Sequence, residues 1–288
     1  MQHPTVVGLG EILWDVFPDG ARFGGAPANF IGNVAGVADE SWECQMVGVV
    51  GDDDFGRQSL ERLRELGVGA EYVVIDSHPT GQVNVDVDER GVASYRFADD
   101  AAWDHFAFHE EWRPLAARID AVCFGSLGQR SSESHAGVLE FLDAIPAQAL
   151  RVFDINLRAP HYTSEVIDAS LSRANALKLN EEELPVLQEL YALEGDLHDQ
   201  LHQLLLSFGL RWVALTRGAN GSLVLSADEF SVLRGEPVEV VDTVGAGDAF
   251  TAALVCSLLS GESLSSAHRA AAALAAKICG QAGATLGG

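Results

Sequence analysis

The chain has 288 residues, 48% of them hydrophobic, with 42 acidic against 18 basic side chains and a formal net charge of -24. That length and apolar share can bury a large core, and the acidic surface repels polyanions, which excludes nucleic acid and anionic membranes as partners. Lysine occurs only at positions 178 and 277, so an anionic ligand is expected to rest on backbone N–H groups, a few arginines or a metal.

The first apolar run, VVGLGEI (6–12), reads as a buried strand, and the turn-rich WDVFPDGARFGG (14–25) follows it as an extended piece. A helix is expected over 27–38, a strand over 45–51 and a helix over 54–66. TGQVNVDVDERGVASYRF (80–97) alternates polar and apolar residues around the turn DERG, the signature of a hairpin. Strands are then expected at 120–126, 151–156, 176–180 and 211–216. Helices are expected at 131–145, 182–191, 196–209, 247–261 and 263–280. Strand and helix in this alternation predict an α/β fold: a doubly wound, mostly parallel sheet flanked by helices. The two extended pieces, about 12–25 and 80–100, are expected to form a small β-sheet lid on a single domain spanning 1–288; the alternative is edge decoration of the main sheet.

Cysteines 44, 123, 256 and 279 are scattered without a C-x-x-C pair, which argues against a zinc site or a disulfide framework. Cys123 and Cys256 lie in apolar runs and read as small buried hydrophobes. The N-terminal residues lack a basic stretch followed by a long apolar one, and no apolar run reaches membrane-spanning length, so the chain reads as cytoplasmic.

Two nucleotide motifs fail. G-x-x-x-x-G-K-[ST] does not occur, and the G-x-G starts at Gly8 and Gly245 lack the third glycine, meeting Leu13 and Phe250 instead. VDTVGAGDAF (241–250) needs another account. Gly245, Ala246 and Gly247 have little or no side chain and stand where a helix begins, so their amides can converge on an anion. Asp248 beside a permanent anion would be repelled. It makes sense as a base facing a hydroxyl that receives a phosphoryl group held by those amides. The plainer alternative is an N-cap aspartate after a glycine turn.

DTVGAGDAF resembles the C-terminal signature of the PfkB (ribokinase-like) family of sugar kinases, and GGAPANFIGNVA (24–35) resembles its N-terminal signature. VGVVGDDDFG (47–56), DINLR (154–158), NEEE (180–183) and TRGANG (216–221) lie between them in family order, so the resemblance covers essentially the whole chain. It implies ATP-dependent phosphorylation of a sugar or nucleoside hydroxyl, with Asp248 as base and Gly245, Ala246 and Gly247 as anion hole. Asn180 and Glu183 match an N-x-x-E motif that arranges waters around Mg2+; read alone, the pair is equally a helix capping box. Gly24 and Gly25 would let a sugar approach the backbone, and Asn29 would bond its hydroxyls from two sides; the alternative is a tight turn with an early proline. Asp15 and Arg158 match sugar-contacting positions. Gln82, Asn84 and Phe97 are candidates on the hairpin, with an exposed polar strand face as the alternative.

Thr216, Gly218 and Gly221 match the nucleotide-side turn, and Arg217 is a candidate phosphate contact. Many relatives bind a monovalent cation such as K+ beside the anion hole, which here would involve Asp242 and Val244. GEILWDVFP followed by GGAPANF resembles the fructokinase-like branch, and scarce lysine argues for an uncharged sugar, fructose first, although Arg96 offers a local positive charge. 2-Keto-3-deoxygluconate, ribose or a nucleoside are the alternatives, and a non-catalytic sugar- or nucleotide-binding protein is the reading from another class. Lid sheets in relatives often pair between subunits, so a homodimer through the lid is also implied.

Overall fold

The computed structural model describes residues 3–87, 93–235 and 237–286. Its large sheet contains β1 (Thr5–Leu9), β4 (Glu43–Gly51), β5 (Gly69–Asp76), β8 (Ala121–Phe124) and β9 (Leu150–Asp154). β10 (Ala176–Asn180), β11 (Trp212–Thr216), β12 (Ser222–Ser226) and β13 (Phe230–Leu233) complete it. The spatial order is β13-β12-β11-β10-β9-β8-β1-β4-β5. Every neighbouring pair from β5 to β11 is parallel, and only β12 and β13 turn back. From β1 the chain winds one way to β4 and β5, then resumes on the other side at β8. The crevice beside β1 and β8 is therefore the switch point of a doubly wound sheet, where α/β folds bind ligands.

Helices cover both faces because the central strands are apolar on both. Val6 and Val152 point into one core with Phe30, Ile31, Phe250 and Ile278; Val7 and Phe153 point into the other with Phe141, Ile167 and Leu201. The first layer is built from α1 (Ala26–Val37), α2 (Asp54–Glu65), α8 (Ala246–Leu259) and α9 (Leu264–Cys279). The short α3 (Arg113–Ala116) is followed by the second layer: α4 (Ser132–Asp143), α5 (Ser164–Leu171), α6 (Leu184–Tyr191) and α7 (Leu197–Ser207). α8 has almost no polar side because it is wedged between α1 and α9, and all its residues from Asp248 to Cys256 are buried. Cys123 and Cys256 are buried, as expected. Among the described residues no helix is long and apolar enough to cross a membrane.

The two extended pieces form one separate four-stranded sheet, ordered β3-β2-β6-β7: β2 (Leu13–Phe17), β3 (Gly20–Gly24), β6 (Gly81–Val87) and β7 (Ala93–Phe97). The DERG turn between β6 and β7 lies outside the described residues. One face of this sheet packs Leu13 and Val83 on Trp103 and Leu127. Two sequence expectations need adjustment. β1 ends at Leu9, so Glu11 and Ile12 lie in the turn to the small sheet. β5, β12 and β13 were absent from the sequence reading: β5 is an edge strand of mixed exposure, and the β12–β13 hairpin is too short to show a period.

Candidate active site

The large sheet presents its carboxyl ends to one side, and the chemically active residues collect there. Glu11 follows β1, Asp154 ends β9 with Arg158 four residues on, Asn180 ends β10 and Thr216 ends β11. Asp248 approaches from the first turn of α8, where amides have no intrahelical partner and the dipole is positive. Gly245 caps that turn at φ 76, and a side chain there would run into Ala284.

Asp248 is 8% exposed, and Asn29 Nδ2 donates to its Oδ2 at 3.0 Å. Asn29 stands on α1 four residues after its N-cap Gly25, whose φ is 108 and whose absent Cβ would lie 2.5 Å from the Glu11 carbonyl oxygen. One turn further along α1, Asn33 donates to the carbonyls of Asn29 at 3.0 Å and Ala284 at 2.9 Å, and accepts from the Leu286 amide at 3.1 Å. Residues near position 285 are thereby fixed to the helix that carries Asp248's partner.

Beneath Asp248 lies a buried ion network. Lys178 Nζ donates to Asp154 Oδ1 at 2.9 Å, and Thr251 Oγ1 donates to Asp154 Oδ2 at 2.9 Å. The ammonium sits so close to the helix start that a Cβ on Gly247 would fall 2.8 Å from Nζ. A cation beside the positive end of a helix marks a place prepared for negative charge.

Burial chiefly, with Asp154 adding to it, pushes the Asp248 carboxyl up to about 7 against the pull of Lys178, the Asn29 bond and Arg158. Burial likewise pushes Glu11 to about 7 and Asp15 to about 6. The positive charge of Arg158 pulls all three values down. An acid of value near 7 is matched to proton removal at neutral pH.

The expected site residues divide in the structure. Asp15, on β2, sits beside Gly24, where an added Cβ would meet its Oδ2 at 2.9 Å. Its strand register places Asp15 on the same face as Val83 and Phe97, and Phe97 packs edge-on against His161 at 5.2 Å. Gln82 and Asn84 point to the opposite face, with Trp14, Val16 and Arg96, and Asn84 is exposed. Alternation along the strand, which made them a pair, also turns them away from Asp15. Asn29 gives one Nδ2 hydrogen to Asp248, and its buried Oδ1 has no partner.

Asn180 and Glu183 form the reciprocal capping set. Asn180 Oδ1 accepts from the Glu183 amide at 2.9 Å, and Glu183 Oε2 accepts from the Asn180 amide at 2.7 Å. Glu183 Oε1 also accepts from the Leu157 amide at 3.0 Å. The Ala246 amide donates to the Thr243 carbonyl at 3.3 Å, which removes it from the three expected anion-hole donors. Arg217 is folded onto its own turn through Nη2 and the Asn220 carbonyl at 2.9 Å, with Gly218 and Gly221 at positive φ on either side. The Thr216 carbonyl accepts from the Glu181 amide at 3.0 Å. Asp242 accepts from the Val244 amide at 3.0 Å and lies 3.9 Å from Arg22.

Sequence reasoning missed Glu11, Asp154, Lys178 and Thr251. The signal was available: VFDIN and ALKLN each put one charge into an apolar strand, which is costly unless the charges meet. Lys178 is the buried lysine, and it is paired with Asp154 beside the start of α8.

The pfkB family carbohydrate kinase model matches residues 19–287. A fructokinase of Klebsiella pneumoniae is 32% identical over 263 residues, 87% of this chain and 83% of its own length; one of Salmonella typhimurium is 31% identical over the same shares. Among solved structures, Vibrio cholerae O395 fructokinase in its fructose-, ADP- and calcium-bound form superposes with a TM-score of 0.80 at 26% identity, covering 99% of this chain and 95% of that one. Xylella fastidiosa fructokinase with bound ATP has the same fold, with a TM-score of 0.84 at 24% identity over 97% and 93% of the two chains. With the signatures, the switch-point site and these likenesses together, the chain belongs to the pfkB family of carbohydrate kinases.

Proposed function

We propose that this fructokinase-like sugar kinase transfers the γ-phosphoryl group of ATP to a hydroxyl of fructose, with Asp248 as general base. The observation that carries the proposal is Asp248 itself: a buried carboxyl, raised to about 7, at the start of a helix whose first amides face the same space. The sugar hydroxyl gives its proton to Asp248 as its oxygen bonds to the γ-phosphorus. The bond from that phosphorus to the bridging oxygen breaks, and ADP leaves with the electron pair. The amides of Gly245 and Gly247, with Lys178 behind them, offset charge on the transferring group.

Asp15 and Phe97, on the inner face of the small sheet, together with Arg158, would orient the sugar, with Gly24 and Gly25 allowing it close to the backbone. Three carboxyls under the pull of Arg158 favour an uncharged sugar over one that carries a carboxylate. On the nucleotide side the TRGANG turn would line the ATP site, through Thr216, Gly218, Gly221 and a rearranged Arg217. Because both Glu183 oxygens accept backbone amides, Glu183 with Asn180 would hold nucleotide-bound Mg2+ through water only. Asp242 and the Val244 carbonyl would hold K+. These ions, when bound, neutralise phosphate charge. The enzyme is expected to work in the cytoplasm as a homodimer paired through the small sheet, which would act as a lid.

ADP release measured over fructose, other ketoses, ribose, 2-keto-3-deoxygluconate and nucleosides, with and without K+, tests the substrate. Fructose should give the highest kcat/KM. Asp248→Asn should lower kcat by about 10²–10⁴-fold while ATP binding persists, the usual contribution of a positioned base. Near-normal turnover in that variant would remove Asp248 from the mechanism.

A further inference from the structure

The β6–β7 half of the small sheet is joined to the body by two chain segments, and both carry imidazole or carboxylate groups at the same spot. Asp76 and His78 lie on the segment that enters β6, and Asp100 and His105 on the segment that leaves β7. The two segments already touch, since the Ala102 amide donates to the Pro79 carbonyl at 2.8 Å. The entering segment is also anchored to the start of α2, where Thr80 donates its amide and hydroxyl to Asp53 at 2.8 and 2.7 Å.

Here the rings of His78 and His105 stack, with centroids 3.6 Å apart and planes 10° from parallel. Each ring has its Nδ1 on a carboxylate: His78 on Asp76 Oδ1 at 2.6 Å, His105 on Glu133 Oε2 at 3.2 Å. That arrangement fixes each ring through Nδ1 and turns Nε2 toward the shared spot, the usual second-sphere pattern behind metal-binding histidines. His105 Nε2 lies 2.9 Å from Asp100 Oδ1. One ligand atom from each of His78, Asp100 and His105 lies within 4.8 Å of the other two.

We propose that His78, His105 and Asp100 form a binding site for a divalent transition metal of the zinc class. Two imidazole nitrogens and one carboxylate oxygen are the donor set such ions take, with positions left for water. The three ligand atoms are within reach of one ion, and uptake turns the stacked rings out of parallel so that each in-plane lone pair meets it. The charge agrees as well, since three carboxylates surround two imidazoles. The site is open to solvent through a cleft of about 450 Å³ lined by Asp100, His105 and Glu133, among others. An ion there ties the entry of the β6–β7 hairpin to its exit, and its uptake does not depend on the identity of the sugar.

The experiment is titration of the full-length, nucleotide-free protein with Co2+, read by visible d–d absorption, followed by displacement with Zn2+. The wild type should take up one equivalent in a saturable, coloured complex. His78→Ala and His105→Ala should abolish it, and Asp76→Asn, which loosens the hold on the His78 ring, should weaken it by about 10-fold. Asp100→Asn, an exposed change that leaves the fold intact, should also weaken binding at least tenfold. His198→Ala, in the exposed Asp196–His198–Asp199 group, should change nothing. Absence of a saturable cobalt band in the wild type overturns the proposal. So does a band that survives unchanged in the His105→Ala or Asp100→Asn protein.

Discussion

A carboxylate loses far more than an alkyl group when it leaves water, yet Asp248, Glu11 and Asp15 are all withdrawn from it, with Arg158 pulling each value down. Because the folded-state value of Asp248, about 7, exceeds the ordinary 3.8, the native state holds that proton more tightly than the unfolded chain. Its contribution to stability is full below about pH 4 and is lost as pH rises through 7. Asp248→Asn should therefore be more stable than wild type at pH 8, by about 1–3 kcal/mol, with the gap closing toward pH 5. Chemical denaturation at the two pH values measures this; a variant less stable at pH 8 would contradict the raised value. Turnover should run the other way, with kcat/KM falling as pH drops below about 7, because the base must be ionised. At this scale the sequence was legible where residues are contiguous with a signature, as at Asp248 and Asn180. It was silent where the partner arrives from another strand, as for Lys178 with Asp154. Asn29 shows the intermediate case: the position was legible, but its hydrogen-bond partner was not.

The start of α8 is where element geometry and chemistry meet. Gly245 is needed there for two separate reasons, its left-handed φ of 76 and the closeness of Ala284. Gly245→Ala should cost about 1–3 kcal/mol of stability and reduce kcat more than it raises the KM for ATP. A variant with unchanged kcat would show that the helix start does not need this turn. The boundaries of the expected helices were legible to within two residues because the apolar period and the caps agree, as with Ser131, Asp196 and Ser263, whereas α3 and α5 are short and were not expected. The small sheet was legible as one alternating hairpin and one extended, turn-rich piece. Which face turns inward was not, because it depends on β2 pairing with β6 across more than sixty residues of intervening chain. That pairing puts Phe97 on Asp15's side and leaves Asn84 outside.

For the whole molecule, 42 acidic residues against 18 basic ones leave most surface carboxylates without a partner. Self-repulsion should make stability salt-dependent, since the screening length shrinks from about 10 Å at 0.1 M to about 3 Å at 1 M. The Tm should therefore rise between 0.1 and 1 M NaCl; a flat or falling Tm would show that the charges are already compensated. Any extra rise in KCl at equal ionic strength would belong to the proposed K+ site at Asp242. The doubly wound topology was legible from the alternation of strands and helices, but the position of the switch point was not, because strand order is not written in any local period.

Asn33 bonds both Asn29 and Ala284, and Ala284 in turn sets the turn at Gly245. The catalytic pair thus joins a helix from the first forty residues to a segment past residue 280. A growing chain cannot complete the turn before Asp248 until residues near 284 have been made and have docked, so α1 and the start of α8 take up their final fit only after that segment.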